Sequence, residues 1–256
     1  MKDSSEYNVR AVERALEILG CFDDEHPEQG VSEIAQAVGL HKATTHRIVT
    51  TLLNYGYIER ADDGQKYRLG LRLAGLGFKV IRRMDLRREA LPYMDQLVQM
   101  WEEPCDLSVF DQGEVFYVEF VPGKHALTVA AGVGRRLPPY CTASGKVFLA
   151  YLPAEELEAF LSRPTTSCTS KTITSPAALR KQLELIRQQG YGLDDEEYEV
   201  GIRAVSAPVR DRTGAVVAAI GIPGPASRMT EERISQIATS LKEAAREVSL
   251  RLGWKM

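Results

Sequence analysis

Glycine cuts the first seventy residues into pieces that fit only a small helical module. Gly30, Gly39, Gly56 and Gly64 each close a run whose apolar residues follow a helix or strand period. Val9, Val12, Leu16, Leu19 and Phe22 recur at helical spacing, so residues 8–22 read as a first amphipathic helix with those five on its buried side. Residues 31–38 form a short second helix, with Ser32 as N-cap and Glu33 in the first turn, and Gly39 stops it. Residues 42–54 make a third helix that buries Ile48, Val49, Leu52 and Leu53. Residues 57–60 and 66–69 then alternate as strands, and Asp63-Gly64 turns the hairpin because both positions tolerate positive φ. Two short helices around a tight turn, with a support helix before and a hairpin after, make a winged helix-turn-helix.

Charge separates this segment from its surroundings. Residues 1–40 sum to −6, residues 41–83 to +6, and the remaining 173 residues to −3. A basic segment on a helix-turn-helix suits a polyanion, although a solvated helix face would account for the charge alone. The second helix of such a motif enters the DNA major groove with its N-terminal residues on base edges. Here those residues are His41, Lys42, Ala43, Thr44, Thr45, His46 and Arg47, with Lys66 and Arg68 on one face of the wing. Arginine is the commonest reader of guanine, and threonine reaches phosphate or a base edge. The acidic first forty residues are expected to face away from the duplex.

The rest of the chain is longer than one such module needs. Helical segments fill residues 70–103, interrupted near Asp85 and by Pro92. Strands are expected at 107–111 and 114–121 around Gln112-Gly113, and a third at 126–131. A helix covers 142–152 after Pro138-Pro139, and another, short one lies between Pro153 and Pro164. Ser175-Pro176 opens a further helix that ends at Gly190. Strands at 202–210 and 215–222 flank the turn 211–214, and Ile234, Ile237, Leu241, Ala244, Val248 and Leu252 share one face of a last helix. Hairpin-linked strands are antiparallel, so this second part is an α+β domain.

Catalytic patterns fail one after another in that domain. Ser144-Gly145-Lys146 lacks the flanking residues of a phosphate loop, since Tyr140 stands where Gly is needed and Val147 where Ser or Thr is needed. Thr142 and Lys146 replace both glycines of a nucleophile elbow. His125 is the only histidine after residue 46, which leaves no base for a serine or cysteine nucleophile elsewhere. The acidic run 194–197 reads as a solvated turn before it reads as a cation site. Cys21, Cys105, Cys141 and Cys168 are scattered without a C-x-x-C pair, the pattern of reduced thiols and not of a zinc site or disulfide framework. No apolar run approaches the ~20 residues of a membrane span, and residues 1–6 lead into charge with no apolar leader core, so a cytoplasmic protein is expected. The segment 141–146 is instead a helix start of small residues, open to the carboxylate of a small anion or simply packed on a sheet.

With both parts in view, the chain resembles the IclR family of transcriptional regulators over nearly its whole length. The similarity lies in residues 9–19, 31–35, 42–52 and 56–58, then in 141–150, which opens Cys141-Thr142-Ala143-Ser144-Gly145-Lys146, in 190–197 continuing through 201–203 and 207–209, and in 218–225. The resemblance implies a winged helix-turn-helix domain at 1–70, a linker helix at 71–84 and a GAF-like effector-binding domain with an antiparallel sheet at 85–256. It implies no enzyme activity, no cofactor and no metal. Its implied partners are a palindromic double-stranded DNA operator, a second copy or three further copies of the chain, and a small organic acid. The implied role is a repressor of a nearby catabolic operon. Carried over by position, the effector pocket uses Ala143, Ser144, Gly145, Asp194, Ile202, Ala204, Gly221 and Pro223. Ala204 stands where many relatives have Cys, and Gly221 and Pro223 where binders of two- or three-carbon keto acids have Ser. That loss of hydroxyls and gain of room favours a larger, more apolar acid or a sugar acid. Two other readings stay open on sequence alone: a hydrolase or transferase with an N-terminal dimerisation arm, and a scaffold that binds a protein through its basic module.

Overall fold

The computed structural model describes residues 8–23, 25–82, 85–126, 129 and 132–255. The leader reading of residues 1–6 and most of the strand expected at 126–131 fall outside these. The chain separates into two compact units, residues 1–83 and 84–256.

In the first unit, α1 (Arg10–Gly20), α2 (Val31–Ala37) and α3 (Lys42–Asn54) close on a core of Ile18, Phe22, Ile34, Val49, Leu52, Ile58 and Tyr67. Gly39 at φ +64° lets the chain reverse between α2 and α3 without a Cβ clash. The helix starts differ from the sequence expectation. Gly30, not Ser32, is the N-cap of α2, because the Glu33 carboxylate reaches back to accept the Gly30 N–H at 2.6 Å. Strands β1 (Ile58–Arg60) and β2 (Tyr67–Leu69) pair antiparallel, and only Gly64 in their turn has positive φ. Asp63 instead accepts the N–H groups of Gln65 and Lys66. A two-bond bridge between Gln29 and Tyr67 draws the loop before α2 onto the hairpin. Helix α4 (Leu71–Arg82) completes the unit.

Helix α1 also turns a different face inward. Val9, Val12 and Leu16 are 64%, 55% and 62% exposed, while Ile18 and Phe22 are buried and Leu19 half-buried. The apolar stripe is wider than the surface α3 offers to cover it.

The second unit is built on a six-stranded antiparallel sheet in the order β5-β4-β3-β8-β7-β6, from β3 (Cys105–Asp111), β4 (Glu114–Val121), β5 (Arg136–Leu137), β6 (Gly192–Asp195), β7 (Ile202–Arg210) and β8 (Val216–Pro225). Side chains alternate across it with the two-residue period of a strand. Cys105, Leu107, Val205, Ala207, Ile220 and Ile222 face α5 (Asp85–Trp101) and α9 (Glu231–Arg251), whose Met94, Leu97, Ile237 and Leu241 complete that core. Helix α5 runs straight through Pro92, where an interruption is expected from sequence. Burial of Met94, Leu97 and Val98 beyond it offsets the lost hydrogen bond. On the opposite face α6 (Ala143–Tyr151), α7 (Ala154–Leu161) and α8 (Pro176–Gln189) bury Val147, Phe148, Leu157, Leu161 and Leu183. The Sγ atoms of Cys141 and Cys168 lie 3.9 Å apart, although 27 residues separate them in the chain.

Two glycines fix how α6 lies on this face. A Cβ on Gly145 would stand 2.3 Å from Cα of Pro139, and one on Gly192 would stand 2.4 Å from the Ala143 carbonyl oxygen. Both obstacles are backbone, which cannot yield cheaply. Gly145→Ala is therefore expected to destabilise the protein by about 2–4 kcal/mol. Gly75→Ala on α4 meets nothing within 4 Å and is expected to be neutral or to stabilise by about 0.5–1 kcal/mol. Urea unfolding followed by circular dichroism checks both; equal midpoints for the two variants would show that α6 is not held by this contact.

Candidate functional site

The first unit offers a basic surface on α3. The helix begins at N-cap His41 with no side-chain cap, so the N–H groups of its first turn are open. His41, Lys42, His46 and Arg47 are exposed and Thr44 is half-buried. Thr45 is not on this surface: it is fully buried, with its hydroxyl donating to the His41 carbonyl at 3.2 Å. Its place at i+4 from His41 points it at the core, alongside Val49 and Leu52.

Two arginines that the charge count placed in an acidic segment join the surface. Arg10 and Arg14 of α1 line one groove with Thr44, His46 and Arg47 of α3. Regional net charge hid them because helix packing, not sequence position, decides which charges are neighbours.

The wing contributes less than its sequence suggests. Arg68 donates from Nε to Glu59 at 2.7 Å and sits 3.5 Å from Glu28 and 3.6 Å from Asp62. Lys66 borders a cleft with Glu25, Glu28 and Glu33. The Gln29–Tyr67 bridge brings those acids to the wing, so this face is neutralised locally.

The second unit encloses a cavity of about 550 Å³ between the sheet and the start of α6. Seven of the eight pocket residues expected from sequence line it: Ala143, Ser144, Asp194, Ile202, Ala204, Gly221 and Pro223. Strand alternation accounts for the grouping, because Ala204, Gly221 and Pro223 occupy the face opposite Val205, Ile220 and Ile222. Gly145 does not line it. Its N–H donates to the Thr142 hydroxyl, which caps α6, and it packs on Pro139. The N–H groups of Ala143 and Ser144 make no hydrogen bond to the described residues and remain available to an anion.

The acidic run is only half solvated. Asp194 and Glu197 are buried, while Asp195 and Glu196 pair with Lys171 and Arg203 at the surface. Alternation on β6 turns Asp194 inward, and Glu196 at φ +60° swings Glu197 back under the sheet edge to Lys146. Lys146 is itself fully buried and cannot serve a phosphate. Asp194 accepts the Glu197 N–H at 2.8 Å. Burial pushes its carboxyl up to about 7, against the opposing effects of that hydrogen bond and of Lys146.

Asp106 is a residue that the sequence reading passed over. It lies on β3 beside Gly221, is 5% exposed, and its Oδ1 has no partner among the described residues. A Cβ on Gly221 would stand 2.8 Å from that oxygen. The room expected at Gly221 is thus already taken by a carboxylate. Burial alone raises the Asp106 carboxyl to about 7. An acid in an otherwise apolar strand was the available signal, but nothing in the sequence says that β3 lies next to β8. Tyr117, hydrogen-bonded to Ser144, and Arg135, which donates to the Tyr198 hydroxyl at 3.3 Å, add to the polar lining with Thr142, Ser206 and Glu199. No cluster of three or more metal-ligating side chains occurs among the described residues.

A carboxyl raised on folding gives stability that is present below its unfolded value and is lost as pH rises through its folded value. Asp106 and Asp194 both act in this direction, from about 4 to about 7. Asp106→Asn removes one of the two contributions, so its melting temperature is expected to fall less between pH 5 and pH 8 than that of the parent. At pH 8 the variant is expected to be the more stable by about 1–3 kcal/mol. Parallel melting curves across this range would place Asp106 in contact with water.

Comparison with known proteins finds a match for each of the two units. Residues 11–62 match the IclR helix-turn-helix domain and residues 78–250 the bacterial transcriptional regulator IclR C-terminal domain. The chain is 35% identical to the HTH-type transcriptional regulator XynR of Escherichia coli K12, over 96% of this chain and 98% of that protein. It is 30% identical to the transcriptional repressor IclR of the same organism, over 96% of this chain and 90% of that one. Among solved structures, an IclR homolog from Microbacterium hydrocarbonoxydans complexed with 4-hydroxybenzoate superposes with a TM-score of 0.83 at 30% identity, covering 94% of this chain and 98% of that one. No helix among the described residues is long and apolar enough to cross a membrane. The chain belongs to the IclR family of DNA-binding bacterial transcriptional regulators and, like its relatives, is not an enzyme.

Proposed function

We propose that the protein is a repressor whose grip on a palindromic operator is set by a small organic acid, and that it governs a nearby catabolic operon. One observation carries the reading: the chain that presents the open α3 surface also holds a cavity with two free helix N–H groups and, among the described residues, no histidine to pair with a nucleophile. Such a cavity suits an anion that is bound and released unchanged. The domain boundaries follow the same division, with residues 1–70 reading DNA, 71–84 linking and 85–256 sensing. The effector's carboxylate is assigned to the N–H groups of Ala143 and Ser144, and a hydroxyl to Asp194. Control requires that it bind the operator-competent and operator-incompetent states differently, typically by about 1–3 kcal/mol.

On the DNA side, His41, Lys42, Thr44, His46 and Arg47 form the reading surface, with Arg10 and Arg14 beside the neighbouring phosphates. Arg47→Ala is expected to weaken specific operator binding by about 1–3 kcal/mol. Arg14→Ala is expected to weaken all sequences alike and to make the log–log salt dependence shallower by about one. Arg68→Ala is expected to leave that slope unchanged, since its charge is already met by Glu28, Glu59 and Asp62. Fluorescence anisotropy over a salt series checks all three. Full operator affinity in Arg47→Ala would remove α3 from the major groove.

A palindromic site needs at least two copies of the chain. The exposed Val9, Val12 and Leu16 of α1, with Leu71 and Leu76 of α4, are the apolar surface we assign to that contact. The further apolar side chains at 78, 80 and 81 lie outside those described. Leu16→Glu is expected to yield monomers in sedimentation velocity at micromolar concentration and to weaken operator binding at least about tenfold through lost effective concentration. An unchanged sedimentation coefficient would move the dimer contact away from α1.

A further inference from the structure

The cavity carries two buried carboxyl groups, Asp106 and Asp194, where the family-based assignment uses one; a third lining carboxyl, on Glu199, is exposed. Asp194 stands on β6 and Asp106 on β3, with β7 and β8 between them. Three strand spacings separate their backbones by about 14 Å on a flat sheet, so an acid of two or three carbons cannot reach both. The open N–H groups at the start of α6 lie between the two. Gly192 of β6 packs on Ala143 from one side, and Tyr117 reaches Ser144 from the side of Asp106.

Asp106 has no evident structural purpose in this position. It faces the cavity, it is buried, and its Oδ1 is unpartnered among the described residues. A buried acceptor left unmade costs about 1–3 kcal/mol, and a Ser, Ala or Gly at that position would avoid the cost. Its shown neighbours are Gly221 on β8 and Tyr117 on β4, and Ser206, Ser144 and Arg135 line the same cavity. The Ser206 hydroxyl is committed to the Ile220 carbonyl, Tyr117 to Ser144, and Arg135 to Tyr198. A hydroxyl brought by a ligand can meet the free oxygen.

We propose that Asp106 is a second effector-binding carboxyl group, and that the effector is a polyhydroxylated acid of about five or six carbons whose hydroxyls are shared between Asp106 and Asp194. The proposal rests on the cavity being the effector site. A hydroxyl suits Asp106 in either protonation state, because it can donate to the carboxylate and accept from the carboxylic acid; a keto oxygen suits only the acid. The carboxyl value near 7 makes that tolerance useful at neutral pH. The same feature removes the apolar alternative. The space opened by glycine at position 221 is filled by a charged or strongly dipolar group, not by a hydrophobic wall.

Calorimetry on the full chain at pH 7 tests this with four kinds of probe: a set of five- and six-carbon aldonates that differ in hydroxyl stereochemistry, 2-hydroxyhexanoate, hexanoate and 4-hydroxybenzoate. At least one aldonate is expected to bind more tightly than every probe with one hydroxyl or none. Asp106→Asn and Asp106→Leu are expected to weaken that aldonate by about tenfold or more, and to change the weaker binding of 2-hydroxyhexanoate less than about threefold. A thermal melt of each variant confirms that it is folded. Aldonate affinity unchanged in both variants overturns the role of Asp106. Tighter binding of hexanoate, 2-hydroxyhexanoate or 4-hydroxybenzoate than of any aldonate overturns the ligand class, while the effector-cavity reading stands. Failure of all four kinds of probe to bind overturns both.

Discussion

Lys146 has no exposed surface, and its ammonium is held by one carboxylate oxygen of Glu197. This buried pair joins the second turn of α6 to the turn between β6 and β7, and the cavity depends on that junction. It places the open N–H groups of Ala143 and Ser144 beside Asp194, and it anchors the turn from which Glu197 donates its own N–H to Asp194. Two charges out of water give little net stability, because desolvation consumes most of their attraction. Their worth here is positional. With either partner missing, the other would be an uncompensated buried charge, so the helix and the turn have one low-energy arrangement.

Around that junction the sheet divides its labour by face. One face of β3, β7 and β8 carries Leu107, Val205, Ala207, Ile220 and Ile222 into the core with α5 and α9. The other presents Asp106, Ala204, Ser206, Gly221 and Pro223 to the cavity. Core packing and cavity lining are therefore interleaved along the same strands, on alternate residues. A change on the cavity face can alter the ligand without reaching the main core, and the glycine–aspartate pair at 221 and 106 is an instance. Glycine removes a side chain from β8, and the carboxyl group of β3 takes its place.

The first unit shows the same dependence of charge on packing. Arg68 is basic in sequence but compensated in the fold, because Glu59 meets it across the hairpin and the bridge at Gln29 brings Glu28 within reach as well. Arg10 and Arg14 lie in an acidic stretch, yet they share a groove with His46 and Arg47. The positive surface thus follows the crossing of α1 over α3 and not the hairpin.

Periodicity and glycine placement by themselves determined the helix-turn-helix, the wing and the antiparallel character of the second unit, because hydrogen-bonding period and backbone freedom are local properties. The identity of the family and most of the cavity lining were legible as well, through motifs such as 141–146 and 218–225. Tertiary structure alone decided the rest. Thr45 turns inward because it shares the face of α3 that packs through Val49 and Leu52 on the core of the unit. Val9, Val12 and Leu16 stay exposed because nothing among the described residues of the unit covers them. Gly145 spends its N–H on the Thr142 cap, and Asp106 joins the cavity because β3 pairs with β8 across more than a hundred residues of chain. Each of these depends on which distant segment lies alongside. A one-dimensional pattern does not encode that neighbour; only the packed sheet and helices supply it.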